Sequence, residues 1–457
     1  MKRLEYLCLF FLCCLFLALP AKAEEAGQAQ DITALCGFSL AKGNWEGLLD
    51  RDTETGVLGK EGLTLEITGK SRLCGIYLIW NGPPPAWTLT DRDTGWKISG
   101  GKDGFWHEYA DIPEKLSLTL TWEGEGTLAE LYLFGPGQTP TWVQKWNAPC
   151  EKADLLLLPT HADDEHLYFG GTMPYYAGQR QLQVQVVYLM KHVPERTHEL
   201  LNGLWTVGIT NYPVISEFID KYSYSLNHAK TLYPEDKVLE YMVENIRRFR
   251  PEVIVGHDLE GEYGHGAHQL NAYVLSSQAL TAAADPGQFP ESAAQWGCWE
   301  TKKCYLHLYP KNEIFINWAD MPLSAFGGKS AYAMAEAGYW EHVSQRGFFT
   351  MTLNGKYGNG RFGLFFSTVG PDVIKNDFLE NIPPSCLSDW TEPELPDTDS
   401  ETQTQDSCFS ETDKLPVSSD KVSNPEPRSP FLLPAAILVG AVAGTLGVFL
   451  LWRAGKK

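Results

Sequence analysis

Residues 155–171 read LLLLPTHADDEHLYFGG. Four leucines run straight into His161, Asp163, Asp164 and Glu165. An unpaired charge at the end of a buried strand loses several kcal/mol of hydration, so something must compensate, and a bound cation is the simplest candidate. A strand that is apolar at every position has both faces covered, as in a parallel sheet flanked by helices. Further along, LQVQVVYLM (182–190) and EVIVGHD (252–258) read the same way. The stretches RTHELLNGLWTVGI and DKVLEYMVENIRRFR between them have helical character. Strand, helix, strand, helix, strand predicts an α/β domain with a parallel sheet. Ligand sites in such sheets lie at the carboxyl ends of strands. His161 follows the first strand and Asp258 the third, which places both charged clusters at one edge.

HADDE sets His161 and Asp164 three apart at a strand-to-helix turn, where i and i+3 converge, while Asp163 projects differently. A second cluster, HDLEGEYGHGAHQ, sets His265 and His268 three apart, with Gly264 and Gly266 freeing the backbone. Two histidines and one carboxylate meeting at a point make a catalytic zinc site with an open position for water. Asp163, left over within reach, would take the proton of that water. A plainer reading makes DDE an acidic N-cap and the two histidines ordinary hydrogen-bonding residues. The occurrence of both clusters at strand ends of one domain favours the metal.

PTHADDEHLYFGG, ERTHELLNGLWTVGI and GEYGHGAH, in that order, resemble the PIG-L family of zinc-dependent de-N-acetylases, which remove acetyl from N-acetylglucosamine units. The likeness covers roughly residues 153–275. It implies a Rossmann-like domain that holds one Zn2+ per chain, or another divalent metal, on His161, Asp164 and His268. By the same resemblance Asp163 is the base, His265 the acid or electrostatic partner, and Tyr263 a donor to the oxyanion. Arg196 would contact the sugar; its alternative is a helix pair with Glu199. Ala162 stands where the family has Pro. Ala267 stands where it has Asp, which removes the carboxylate that would orient His265 and leaves Asp258 or Glu262 as substitutes.

The remainder of the 457 residues frames this domain. A formal charge of −20 argues against a nucleic-acid partner. Residues 1–23 read as a secretory signal peptide. Residues 31–149 show short β-type runs between turn signals, which predicts a β-sandwich module, with Trp87, Trp96 and Trp106 as a candidate sugar platform. The α/β domain is expected over 150–385, an acidic flexible stalk over 386–430, a transmembrane helix over 431–452 and a cytoplasmic tail over 453–457. The expectation is therefore a single-pass cell-membrane protein whose N-terminal bulk is extracellular. Secretion permits disulfides, and Cys298 and Cys304 are spaced to close a small loop. The adjoining Trp299, Lys302 and Lys303 would line a groove or lie on that surface loop. The function expected is removal of acetyl from an N-acetylated amino sugar in a surface or extracellular glycan. The rival is a surface carbohydrate-binding protein that keeps its metal site but not turnover. A phosphodiesterase would want a second metal and more carboxylates.

Overall fold

A computed structural model describes residues 27–388. The expected signal peptide, the stalk beyond residue 388, the membrane helix and the tail lie outside the described residues. Among the described residues, no helix is long and apolar enough to cross a membrane.

The first sheet is antiparallel throughout. Its strands are β1 (Cys36–Leu40), β2 (Val57–Gly59), β3 (Thr64–Trp80), β4 (Trp87–Asp91), β5 (Lys97–Gly100), β6 (His107–Trp122) and β7 (Gly126–Phe134). They lie in the order β2-β7-β3-β6-β4-β5, with β1 also on β3. The separate runs LTLEITGK and CGIYLIWN are one strand, β3, which carries on past register breaks between Thr68 and Gly75. β1 pairs with its first half and β7 with its second. Hydrogen bonding thus joins all seven strands in one sheet. Leu65 and Ile67 from the first half of β3 share a core with Ile76, Leu78 and Trp80 from the second. Trp87 belongs to that core and donates its indole N–H to Glu108 at 2.6 Å. Trp106 packs edge-to-face on His198. Trp87, Trp96 and Trp106 therefore form no common exposed platform.

The second sheet holds β8 (Leu155–Leu157), β9 (Val184–Tyr188), β10 (Val214–Ile215), β11 (Val253–Gly256), β12 (Lys303–His307), β13 (Glu313–Phe315) and β16 (Arg361–Ser367). A small ribbon of β14 (Pro322–Leu323) and β15 (Lys329–Ser330) stands apart. The order is β10-β9-β8-β11-β12-β16-β13. β8 to β12 are mutually parallel, and β16 closes antiparallel on β12. The four leucines are explained by burial on both faces. Leu155 and Leu157 enter one core, and Leu156 and Leu158 the other. The chain runs outward from β8 to β10 and then returns to β11 on the opposite side. That reversal opens a crevice at the carboxyl ends of β8 and β11.

Several expectations change here. The boundary at residue 149 is not a packing boundary, because Phe105 and Trp146 sit in the α/β core. Phe105 stacks on Tyr212 at 4.5 Å, and His107 Nε2 meets His198 Nδ1 at 3.0 Å. The tail of the folded unit passes residue 386, since the Ser388 amide donates to Asp154 Oδ1 at 2.8 Å. Cys298 is exposed and Cys304 buried in β12, and both are free thiols, so they close no loop. Lys303 points into the core and pairs with Asp372 at 2.6 Å, while Lys302 pairs with Glu252. Lys303 therefore lines no groove.

Candidate metal centre

β8 delivers His161 four residues past its end, and β11 delivers His257 beside it. Asn271, on the helix Gly266–Val274, ties that helix to the β8 end by donating to Leu158 O at 3.1 Å and Thr160 Oγ1 at 2.9 Å. The helix starts at a glycine because a Cβ on Gly266 would stand 2.3 Å from Ser225 O. This brings His268, in the first turn, over HADDE.

Three atoms converge there. His161 Nδ1 lies 3.0 Å from His268 Nε2, Asp164 Oδ2 lies 3.1 Å from His268 Nε2, and His161 Nδ1 lies 3.4 Å from Asp164 Oδ2. Ligand atoms about 2.1 Å from a tetrahedral zinc stand ~3.4 Å apart, so the set fits a small divalent cation. The amides of Thr160 and His161 hold Asp164 Oδ2 in place at 3.2 and 2.7 Å. On the far side of His268, Nδ1 faces Glu262 Oε2 at 3.1 Å, the carboxylate–histidine arrangement that aims a metal-binding imidazole. His161 Nε2 faces Asp220 Oδ1 at 3.5 Å.

The electrostatics favour positive charge at this point. Burial opposes ionisation of Asp164, yet His268, His161 and His257 hold its carboxyl well below the usual range. Burial would also discharge His268, but Asp164 and Glu262 outweigh it and push the imidazole up to about 10. Asp163 goes the other way. Burial and the adjoining Asp164 charge hold it well above the ordinary carboxylate range, with Arg196 only partly offsetting them. Two neighbouring carboxylates with opposed proton affinities are the usual sign of divided roles.

Asp163 takes no part in the converging set. Its backbone sits at φ 116°, a conformation that non-glycine residues rarely adopt. Arg196 Nη2 approaches its carboxyl at 3.5 Å and donates to Ala162 O. Arg196 therefore braces the HADDE turn, and Glu199 bonds Ser344 instead of Arg196. A cavity of about 190 Å3 opens over these groups, lined by Asp163, Arg196, Asp220, Tyr222, His265 and Phe349 among others.

The structure brings His161, Asp163, Asp164, Arg196, His265 and His268 to one cavity. Tyr263 is not among its lining residues; it is 54% exposed and lies 4.1 Å from the Tyr357 ring. His265 lies close to His161 and His268, but its buried Nδ1 has no hydrogen-bond partner. Burial and the two neighbouring imidazoles depress it to about 3. Neither Asp258 nor Glu262 replaces the carboxylate lost at Ala267. Glu262 instead serves His257, His268 and His307, at 2.8, 3.1 and 2.7 Å.

Sequence reasoning missed His192, Asp220, His257 and His307. His257 Nε2 is 3.4 Å from Asp164 Oδ2, but it already accepts the Thr160 amide at 3.0 Å, so its lone pair is taken and it orients instead of ligating. His192 Nε2 likewise accepts the Ala162 amide at 3.0 Å, which leaves Nδ1 facing Asp220 at 3.4 Å. His257 did carry a signal, since it directly precedes Asp258 at a strand end of the same edge. Asp220 and His192 carried none.

No family model matches the sequence. A 1D-myo-inositol 2-acetamido-2-deoxy-alpha-D-glucopyranoside deacetylase from Catenulispora acidiphila is 26% identical over 219 residues, 42% of this chain and 62% of that protein. The enzyme of the same name from Streptomyces avermitilis is 27% identical over 210 residues, 40% of this chain and 70% of that protein. Among solved structures, N,N'-diacetylchitobiose deacetylase from Pyrococcus horikoshii is 14% identical, with a TM-score of 0.34, over 43% of this chain and 72% of that one. The chain thus spans 62% to 70% of the length of these two curated relatives.

Proposed function

We propose that the chain is a PIG-L-type de-N-acetylase, a metal-dependent amidohydrolase that removes acetyl from an N-acetylated amino sugar, as its likeness to the inositol-glucosaminide deacetylases supports. The observation that carries the reading is the convergence of His161 Nδ1, Asp164 Oδ2 and His268 Nε2 within 3.4 Å, with a second carboxylate beside them outside the set. These residues would hold the cation, and zinc suits a donor set of two imidazoles and a carboxylate. When bound, it would polarise the acetyl carbonyl and make the attacking water more acidic.

The chain's own residues do the rest. Asp163, held by Arg196 and by its place in the turn, takes the proton from the attacking water and is positioned to pass it to the departing amine. Arg196 keeps that turn closed through Ala162 O and presents a cation at the cavity wall. His265, neutral at ordinary pH, offers a hydrogen bond to the developing oxyanion instead of a proton reserve. Tyr168 and Phe349 give the cavity apolar walls that keep bulk water from the site. Delivery through a signal peptide and retention by residues 431–452 would place this chemistry on glycans outside the cell.

The test is acetate release from a panel of N-acetylated sugars by zinc-loaded protein. Acetate should appear, vanish after chelation and return with zinc. Full metal loading with no acetate from any sugar would leave the carbohydrate-binding reading standing in its place.

A further inference from the structure

Directly behind the HADDE turn lies a second group of metal-ligating side chains, Glu165, His166 and His342, all fully buried. His342 Nε2 stands 3.0 Å from Glu165 Oε1, and His166 Nε2 stands 3.4 Å from the same oxygen. The three ligand atoms lie within 4.8 Å of one another. Neither ring nitrogen of His166 has a hydrogen-bond partner, and Nδ1 of His342 has none either. A buried imidazole with both nitrogens unsatisfied is rare, and it calls for an ion or a water to complete it.

The packing around His166 is built for its ring. The imidazole lies between the helices Pro194–Thr206 and Ala331–Tyr339, where each presents a glycine. A Cβ on Gly338 would stand 2.2 Å from His166 Cε1, and one on Gly203 would stand 2.8 Å from His166 Nε2 and 3.0 Å from His342 Nε2. Both helices thus omit side chains at the spot where His166 and His342 meet Glu165.

We propose that Glu165, His166 and His342 form a second, structural divalent-cation site, with two imidazoles and one carboxylate as ligands. This donor set suits zinc, with a fourth position for water. The site is distinct from the cavity, because none of its three residues lines it. Its purpose follows from the other oxygen of Glu165. Oε2 accepts the Asp163 amide at 2.9 Å, so a cation on Oε1 would fix the carboxylate that anchors the turn bearing the base. It would also fasten that turn to helix Pro194–Thr206, which carries Arg196, and to the segment after helix Ala331–Tyr339, which carries His342.

The experiment titrates zinc chloride into chelator-stripped protein and reads bound metal by plasma mass spectrometry. Wild type should saturate at about two equivalents, and His342→Gln and Asp164→Asn at about one each. The double variant should bind none. Wild type that saturates at one equivalent, with His342→Gln unchanged, would overturn the second site and leave a water-filled hydrogen-bond network. Should His342→Gln fail to fold, anomalous diffraction at the zinc edge from zinc-soaked wild-type crystals decides the matter. A peak among Glu165, His166 and His342 supports the site, and its absence beside a peak at His161 refutes it. Because the readout is metal and not acetate, its failure is separate from any failure of the deacetylase reading.

Discussion

Replacing Asp163 by Asn separates the base from the ligands. Asp163 contributes no atom to the converging set, so Asp163→Asn should keep the metal of the cavity site. The amide cannot accept a proton, and loss of a general base costs two to four orders of magnitude in rate, or ~2.7–5.5 kcal/mol in the barrier. Asn is also the right replacement structurally, because it tolerates the positive φ of 116° at this position better than other residues. Asp163→Ala would add roughly 1–3 kcal/mol of backbone strain and confuse the result. Asp164→Asn should instead lose both metal and rate, since it removes a ligand charge. The assay pairs metal content with acetate release and thermal unfolding on the same preparations. If Asp163→Asn retained more than about a tenth of the wild-type rate, or lost as much metal as Asp164→Asn, the division of labour between the two aspartates would be refuted.

Three further outcomes are expected. Tyr263→Phe should change kcat by less than about threefold, because its ring lies against Tyr357 and lines no part of the cavity, whereas removal of a true oxyanion donor costs ~100–1000-fold. Lys303→Met leaves Asp372 buried without its cation and should cost roughly 3–5 kcal/mol in denaturant unfolding; a change below about 1 kcal/mol would contradict the burial argument. Glu130 is lifted from 4.5 to about 7, first by burial and then by Asp50. The folded state therefore holds its proton more tightly, so this contribution to stability is complete below pH 4.5 and fades as pH rises through about 7. Melting curves of Glu130→Gln should lose that decline, and an unaltered pH profile would count against it.

The sequence made the second sheet legible because burial on both faces leaves a simple trace: β8 and β11 are unbroken apolar runs. HADDE and HGAH were legible because i, i+3 spacing beside strand ends turns His161 with Asp164, and His265 with His268, toward one cavity. The first sheet was harder. Residues 68–75 look like a turn between two strands, and only pairing with β6 on one side shows that β3 continues through them. Tyr263 was assigned through the family resemblance, but its backbone at φ 57° sends the ring toward Tyr357. Asp220 and His192 come from loops after β10 and β9, and only the sheet order brings them beside His161. Such contacts have no local pattern to read.

The join between the two sheets has a consequence for how such a chain can diversify. Phe105 and Trp146 are seated in the α/β core, and Tyr77 leads through His107 to His198 at 2.7 and 3.0 Å. His198 shares a helix with Arg196, two residues from the cavity wall. The β-part is thus not an interchangeable cassette. A different module grafted at residue 149 would lack these fittings, uncover apolar core and unseat the helix whose Arg196 braces the HADDE turn. New substrate preferences would have to arise in the exposed loops of the existing pair, with both parts inherited together.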